Sequence, residues 1–319
     1  MSAETILTTT RQFLEVDPMV RITIEPIKRG ASGRTIVRVK TDSRDPFIGI
    51  NWTDERPDND FYPAVSDFLS KAGINVPELY HRDMRWRVVL VEDLGDKDLL
   101  SMKDEPFEKR EPFYRSALQQ LDKLFYTRGA KDMEFNPEFD EEMYGWEQEY
   151  FFDHLVDGLL EMDSSELRKS SELAALAKRL GKSARHLVHR DFQSQNFMLK
   201  GDKAYWIDFQ GMRRGRQEYD LASLVFDPYM NHSEEDREKL LDLWEEISEE
   251  RPVPQIFHEC AAQRLMQALG AYGKIITKQG DDWYRQHVPV AAKMLGVVTK
   301  GTDLEPLLAP VIAKAEAFV

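Results

Sequence analysis

The segment His189-Arg-Asp-Phe-Gln-Ser-Gln-Asn196, followed twelve residues on by Asp208-Phe-Gln-Gly211, decides the reading of this chain. Between them lie two short apolar runs, Phe197 to Leu199 and Ala204 to Ile207, joined by Lys200-Gly-Asp-Lys203, which is hairpin chemistry. Asp191 and Asn196 sit five apart on one loop. The hairpin then returns the chain so that Asp208, at the end of the strand Tyr205-Trp-Ile207, faces Asn196 across one pocket. Phosphoryl transfer needs little covalent help and much placed charge. It needs one carboxylate to orient the attacking hydroxyl, and an amide oxygen with a second carboxylate to hold Mg²⁺ against the phosphates. Hard oxygen ligands suit that ion, which keeps part of its water shell.

Outward from this segment, the first hundred residues predict strands. Val20, Ile22 and Ile24 alternate with polar residues, Thr35 to Lys40 and Phe47 to Trp52 are short β-rich runs, and Arg87 to Glu92 holds four consecutive apolar residues, as a buried strand would. A helical pattern, Phe61, Val65, Phe68 and Leu69, lies before the last of these and stops at Gly73. After Gly95 helical spacing dominates, in Leu118-Leu121-Phe125, Leu173-Leu176-Leu180, Leu240-Leu243-Trp244-Ile247, Phe257-Ala261-Leu265 and Tyr284-Val288-Ala291-Leu295. The expectation is an α+β protein with a small β-rich lobe, residues 1–95, and a larger helical lobe, residues 96–319, joined at Leu94-Gly-Asp96.

The two motifs together resemble the protein-kinase-like superfamily and, more closely, its aminoglycoside phosphotransferase branch. Within that branch, His189 to Leu199, Trp206-Ile-Asp-Phe-Gln210 and Tyr219-Asp-Leu-Ala-Ser-Leu224 resemble bacterial kinases that phosphorylate N-acetylmuramic acid and N-acetylglucosamine at the anomeric hydroxyl. The likeness continues in Gly73-Ile-Asn-Val-Pro77, Glu92-Asp-Leu-Gly95, Trp146-Glu147 and Gln263-Arg264. It implies a two-lobed kinase-like fold with an antiparallel β-rich N-lobe, and ATP between the lobes against hinge backbone at Glu92 to Leu94. It makes Asp191 the catalytic base or hydroxyl-orienting residue, with His189 counted in the catalytic set, Asn196 and Asp208 the Mg²⁺ ligands, and Asp220 a brace for the catalytic loop. Position 193 is Gln where protein kinases carry Lys, and no Ala-Pro-Glu follows Asp208, which favours a small hydroxyl substrate over a protein.

Arg29-Gly-Ala-Ser-Gly-Arg34 lies between two predicted strands, where backbone N–H groups with Ser32, Gly33 and Arg34 would cradle ATP phosphates. Alone it reads rather as an ordinary hairpin turn, and its position ahead of the kinase-like loop turns the reading to phosphate binding. The third strand, Phe47-Ile-Gly-Ile-Asn-Trp52, lacks the phosphate-binding Lys of protein kinases, and Arg34 or Lys40 is left to supply that charge. Glu147 reads either as a residue reaching the sugar pocket or as part of a charged helix face, and Arg264 as a further substrate contact. Gly270-Ala-Tyr-Gly-Lys274 lacks P-loop spacing and reads as a helix end.

Composition narrows the alternatives. The 319 residues carry 43 basic and 57 acidic side chains, a net charge of −14. The whole excess falls in two stretches, 131–150 and 233–250, and the balanced remainder argues against a nucleic-acid binder. One cysteine, Cys260, excludes an internal disulfide and a Cys-rich metal site. No membrane span and no signal segment is read, so the expectation is a cytoplasmic, ATP- and Mg²⁺-dependent amino-sugar kinase of unknown oligomeric state. Its rivals are an aminoglycoside antibiotic kinase, for which acids of 131–150 would line the pocket, and a nucleotide-binding pseudokinase. The intact Asp191, Asn196 and Asp208 weigh against the latter.

Overall fold

The structure, a computed structural model, describes residues 2–17, 19–27, 33–42, 44–127, 136–182 and 185–319. The chain opens with a helix, α1 (Ser2–Leu14), and continues into β1 (Ile22–Pro26), β2 (Thr35–Thr41) and β3 (Phe47–Asn51). A helix, α2 (Tyr62–Lys71), precedes β4 (Leu79–Asp83) and β5 (Val88–Glu92). The five strands form one antiparallel sheet in the order β1-β2-β3-β5-β4. Two of these elements, α1 and β4, have no counterpart in the sequence reading. Strand β4 is a partly exposed run, Leu-Tyr-His-Arg-Asp, with little apolar alternation to betray it.

Helix α1 explains why β5 reads as an unbroken apolar run. Val88 and Leu90 face one side of the sheet, packed with Val37, Val39, Phe47 and Ile6 of α1. Val89 and Val91 face the other, packed with Ile50, Val65 and Leu69 in the main core. Full burial of each such side chain contributes about 1.5–3 kcal/mol. Gly49 is required at the crossing, because a Cβ there would lie 2.5 Å from the Ile6 methyl.

The larger lobe is helical: α3 (Phe107–Tyr126), α4 (Glu141–Phe151), a π-helical continuation over Phe152–Leu159, α5 (Ser165–Arg168) and α6 (Ser171–Gly181). Short strands follow, β6 (His186–Val188), β7 (Phe197–Lys200), β8 (Lys203–Trp206) and β9 (Arg213–Gly215), with β6 paired to β9 and β7 to β8. The chain closes with α7 (Gln217–Val225), α8 (Glu234–Ser248), α9 (Pro254–Lys274), α10 (His287–Thr299) and α11 (Leu304–Glu316). The β7–β8 hairpin turns at Gly201, with φ of +63°, as its sequence predicts. Acidic α8 buries Leu240, Leu243 and Trp244 and leaves most of its carboxylates in water.

Helix α9 corrects one expectation. Gly270 to Lys274 is not a helix end, since the helix runs on into a π-helical turn over Ile275–Gln279 and stops at Gly280, where φ is +70°. Its glycines serve close approach instead. A Cβ on Gly270 would lie 2.9 Å from the Tyr150 backbone, and one on Gly273 would collide with the His154 carbonyl. Among the described residues no helix is long and apolar enough to cross a membrane.

Candidate active site

The loop that carries Asp191 begins where β6 ends. His189 is fully buried, its ring Nε2 lies 3.0 Å from the Ile207 carbonyl, and burial lowers its pKa, so a neutral ring donates that bond. It therefore ties the loop to the segment that delivers Asp208 and presents no surface to a substrate. Asp220, at the start of α7, accepts the His189 amide at 2.6 Å and the Arg190 amide at 2.9 Å. Burial pushes the Asp220 pKa up to about 7 against the pull of those two donors. Asp227, which the sequence reading missed, clamps the other end of the loop by accepting the Ser194 amide at 2.8 Å while its second oxygen takes the Tyr229 amide at 2.8 Å. The carboxylates thus satisfy buried backbone donors that the irregular loop would otherwise leave unpaired.

Between these clamps Arg190 adopts φ of +80° and Asp191 projects a carboxylate whose side chain is 36% exposed. The Asn196 amide nitrogen donates to the Asp191 carbonyl at 2.8 Å, and the Ile207 amide donates to the Asn196 carbonyl at 3.0 Å. Those two bonds bring Asp208 beside Asn196. Asp208 itself sits in the left-handed region, φ of +62°, a conformation that Asp tolerates better than most residues. The loop that carries Asp191 is thereby tied through Asn196 to the segment that carries Asp208.

Asp208 is paired with Arg34, which reaches it from the start of β2, and accepts from Gln210 Nε2 at 2.8 Å. Burial alone would raise the Asp208 pKa, but the Arg34 charge and these hydrogen bonds hold it below the ordinary carboxylate range. An ionised carboxylate at the cleft floor, already matched by a cation from the opposite lobe, fits a divalent-ion ligand. Among the described residues no three His, Cys, Asp or Glu side chains converge. A cation here would take Asp208 and Asn196 and keep water on its other positions, as Mg²⁺ does.

Of the two cations left open for phosphate, Arg34 faces the cleft, whereas Lys40 is exposed and pairs with Glu25 on the neighbouring strand at 2.6 Å. Asn51, at the end of β3, donates to the Trp86 and Arg87 carbonyls and anchors the strand to the β4–β5 turn. Ser32 lies outside the described residues; Gly33, with φ of +67°, is the first described residue after that gap. At the hinge, Glu92 donates its amide to the Glu78 carbonyl and pairs its side chain with Lys200, while Leu94 is buried. Arg38, also missed in the sequence, holds the hinge to β2 through Asp93 at 2.5 and 3.1 Å and Asp96 at 2.8 Å.

Glu147 is neither a pocket residue nor part of a charged face. It is wholly buried, accepts from the Tyr219 hydroxyl at 3.1 Å and Gln263 Nε2 at 3.2 Å, and burial raises its pKa. Its neighbours on α4 face outward instead: Trp146, half-exposed, stacks on Tyr150 at 5.1 Å, and Tyr150 lies in the field of Arg56 and Arg190. Arg190 and Arg213 share the Asp58 carboxylate at 3.6 and 3.5 Å. Burial and the nearby Arg190 lower the Arg213 pKa to about 10. Arg264 reaches Asp191 at 3.2 Å.

A β-rich lobe facing a helical lobe, with a braced Asp-Asn loop and a second Asp at the cleft, defines a protein-kinase-like phosphotransferase. The sequence profile of the "Phosphotransferase enzyme family" matches residues 23–262, and the chain belongs to that family. It is a small-molecule phosphotransferase acting on a hydroxyl acceptor. It is 27% identical over 253 residues to an N-acetylmuramate/N-acetylglucosamine kinase of Neisseria meningitidis, covering 74% of each chain. To one of Pseudomonas aeruginosa it is 25% identical over 256 residues, covering 73% of this chain and 72% of the relative. In structure it resembles choline kinase LicA from Streptococcus pneumoniae, with a TM-score of 0.65 at 17% identity over 93% of this chain and all of the other. Aminoglycoside phosphotransferase APH(4)-Ia, solved with AMP-PNP and hygromycin B, gives a TM-score of 0.63 at 15% identity, covering 92% of this chain and 100% of that one.

Proposed function

We propose that this chain transfers the γ-phosphoryl group of ATP to the anomeric hydroxyl of an N-acetylated amino sugar, N-acetylmuramate or N-acetylglucosamine, as a cytoplasmic step of cell-wall recycling. The observation that carries this reading is the exposed Asp191 carboxylate on a loop clamped at both ends, beside Asn196 and the ionised Asp208. Asp191 orients the acceptor hydroxyl and takes its proton late in the transfer. Asn196 and Asp208 would hold Mg²⁺, which would supply positive charge to offset that of the transferring phosphoryl group. Gly33 and Arg34 face the phosphates, and hinge backbone at Glu92 to Leu94 takes the purine, with the two lobes meeting near Gly95. His189, Asp220 and Asp227 act as scaffold.

The charges around the acceptor side support a neutral or anionic sugar. Arg190 stands near Asp191 and shares Asp58 with Arg213, and the Trp146–Tyr150 stack offers an aromatic face of the kind sugars pack on. Three of the acids of 131–150 that would welcome a polycationic aminoglycoside are engaged elsewhere: Glu138 with Arg185 at 2.6 Å, Glu149 with Arg168, and Glu147 inside the core. An anomeric hydroxyl is more acidic than an ordinary alcohol, which suits a carboxylate acting by orientation. Free N-acetylglucosamine or N-acetylmuramate is therefore expected to be phosphorylated while the 1-O-methyl glycoside is not, read by NMR of the product. Phosphorylation of the methyl glycoside, or of kanamycin-like compounds with no activity on free amino sugars, would overturn the anomeric reading.

A further inference from the structure

The Asp191 carboxylate is more exposed than that of Asp208, 36% against 31%, and a group that rotates freely orients nothing. The structure supplies a restraint from a distant part of the chain. Arg264, on α9, places Nη2 3.2 Å from Asp191 Oδ1. The same nitrogen donates to Gln193 Oε1 at 2.9 Å, Nε donates to the Ser223 hydroxyl at 3.1 Å, and Nη1 donates to Gln267 Oε1. Ser223 in turn donates to the Tyr219 carbonyl at 2.9 Å, so its oxygen is turned to receive Arg264. All three guanidinium nitrogens are engaged, and the side chain is only 8% exposed. Its planar fork is held on three sides before it meets Asp191. Burial works against its charge and Asp191 restores it, with the balance favouring the cation.

We infer that Arg264 is a positioning residue: it fixes one oxygen of Asp191 so that the other faces the acceptor hydroxyl, with Gln193, Ser223 and Gln267 as its clamp. Arg264 is thus assigned to the enzyme's own carboxylate rather than to substrate. The inference rests on Asp191 orienting the hydroxyl. Misplacing a reacting group by about 1 Å costs about 10²-fold in rate, which sets the scale of the effect.

The test is a double-mutant cycle between Arg264→Gln and Asp191→Asn, with kcat and KM measured for ATP and for N-acetylglucosamine, and MgADP affinity measured by calorimetry. Arg264→Gln is expected to lower kcat about 10²-fold while leaving MgADP affinity within twofold. Arg264→Lys, which keeps charge but loses the fork, is expected to recover about half of that loss on a logarithmic scale. In the Asp191→Asn background Arg264→Gln is expected to add less than threefold, because both act through one carboxylate. Fully additive losses, or a folded Arg264→Gln with kcat within twofold of the parent, overturn the inference. Should Arg264→Gln fail to fold, Arg264→Lys decides: a fall in kcat at unchanged KM supports it and parental kcat overturns it. If Asp191→Asn is itself as active as the parent, the reading of Asp191 fails first and takes the inference with it.

Discussion

Asp191 and Asp208 lie in one cleft, yet the protein holds them by different means. Asp191 is restrained wholly from the helical lobe, with Asp220 and Asp227 on its loop backbone and Arg264 on its carboxylate. Asp208 accepts from Gln210 of its own lobe but is also held across the cleft, its carboxylate paired with Arg34 from the sheet. The first arrangement is complete within one lobe and is unaffected by how closely the lobes approach. The second depends on that approach, and its guanidinium occupies charge space that a metal ion and phosphates would share. On the proposed reading the acceptor side is thus built within one lobe, and the nucleotide side takes a charge partner from the other.

The sharpest way to break this contrast is to remove each carboxylate. Asp191→Asn is expected to lower turnover about 10²- to 10⁴-fold with folding and nucleotide binding retained, the range for a positioned acid or base; turnover within twofold of the parent would remove Asp191 from the mechanism. Asp208→Ala is expected instead to abolish the enhancement of nucleotide binding by Mg²⁺, read by calorimetry with MgATP against ATP plus chelator. Equal enhancement in parent and variant would place the metal elsewhere. If both variants lose the same step, the two ends of the cleft are not separate devices.

A smaller effect sharpens the acceptor side. Asp220→Ala orphans the His189 and Arg190 amides, each worth about 1–3 kcal/mol when buried and unpaired, offset in part by removing a buried carboxyl. A net loss of about 2 kcal/mol in stability is expected from denaturant melts, together with a fall in kcat. Unchanged stability would mean that the loop holds itself.

The smallest effect probes the helical lobe away from the cleft. His232 is buried, with Nδ1 at 3.2 Å from the Val225 carbonyl and Nε2 at 2.8 Å from the Tyr114 hydroxyl, where Arg110, Asp236 and Arg237 also face it. Burial lowers its pKa from 6.5 to about 4. Below pH 6.5 the unfolded chain takes a proton that the fold refuses, so stability falls as pH drops toward 4. The expected loss is about 1 kcal/mol by pH 5.5, read from melts of the parent against His232→Gln. Because buried Asp220 and Glu147, with raised pKa values, act in the opposite direction over this window, the difference between the two proteins decides: an identical pH dependence in His232→Gln would discount the effect.

The fold was readable where the chain repeats a simple period. Four of the five sheet strands, the β7–β8 hairpin and the cores of α3, α6, α8 and α9 follow from apolar alternation or helical spacing. Helix α1 did not, because its polar threonines leave Ile6 as its one fully buried apolar side chain. The glycines of α9 misled for a related reason: sequence shows that a side chain is missing, not whether a turn or a neighbouring backbone requires it.

At the site, the spacing of Asp191, Asn196 and Asp208 was legible because one loop and one hairpin connect them, and short connections leave few geometries. The roles of the charged residues around them were not. Whether Glu147 faces a sugar or the Tyr219 hydroxyl, whether Arg34 or Lys40 reaches the cleft, and whether Arg264 meets substrate or Asp191 are questions of which groups from distant segments share one volume. The amino-acid order sets the local periods and the short-range motif. Only packing of the two lobes and of α9 against α7 and α4 decides which charge meets which, since a charge interacts through space and burial selects its partner.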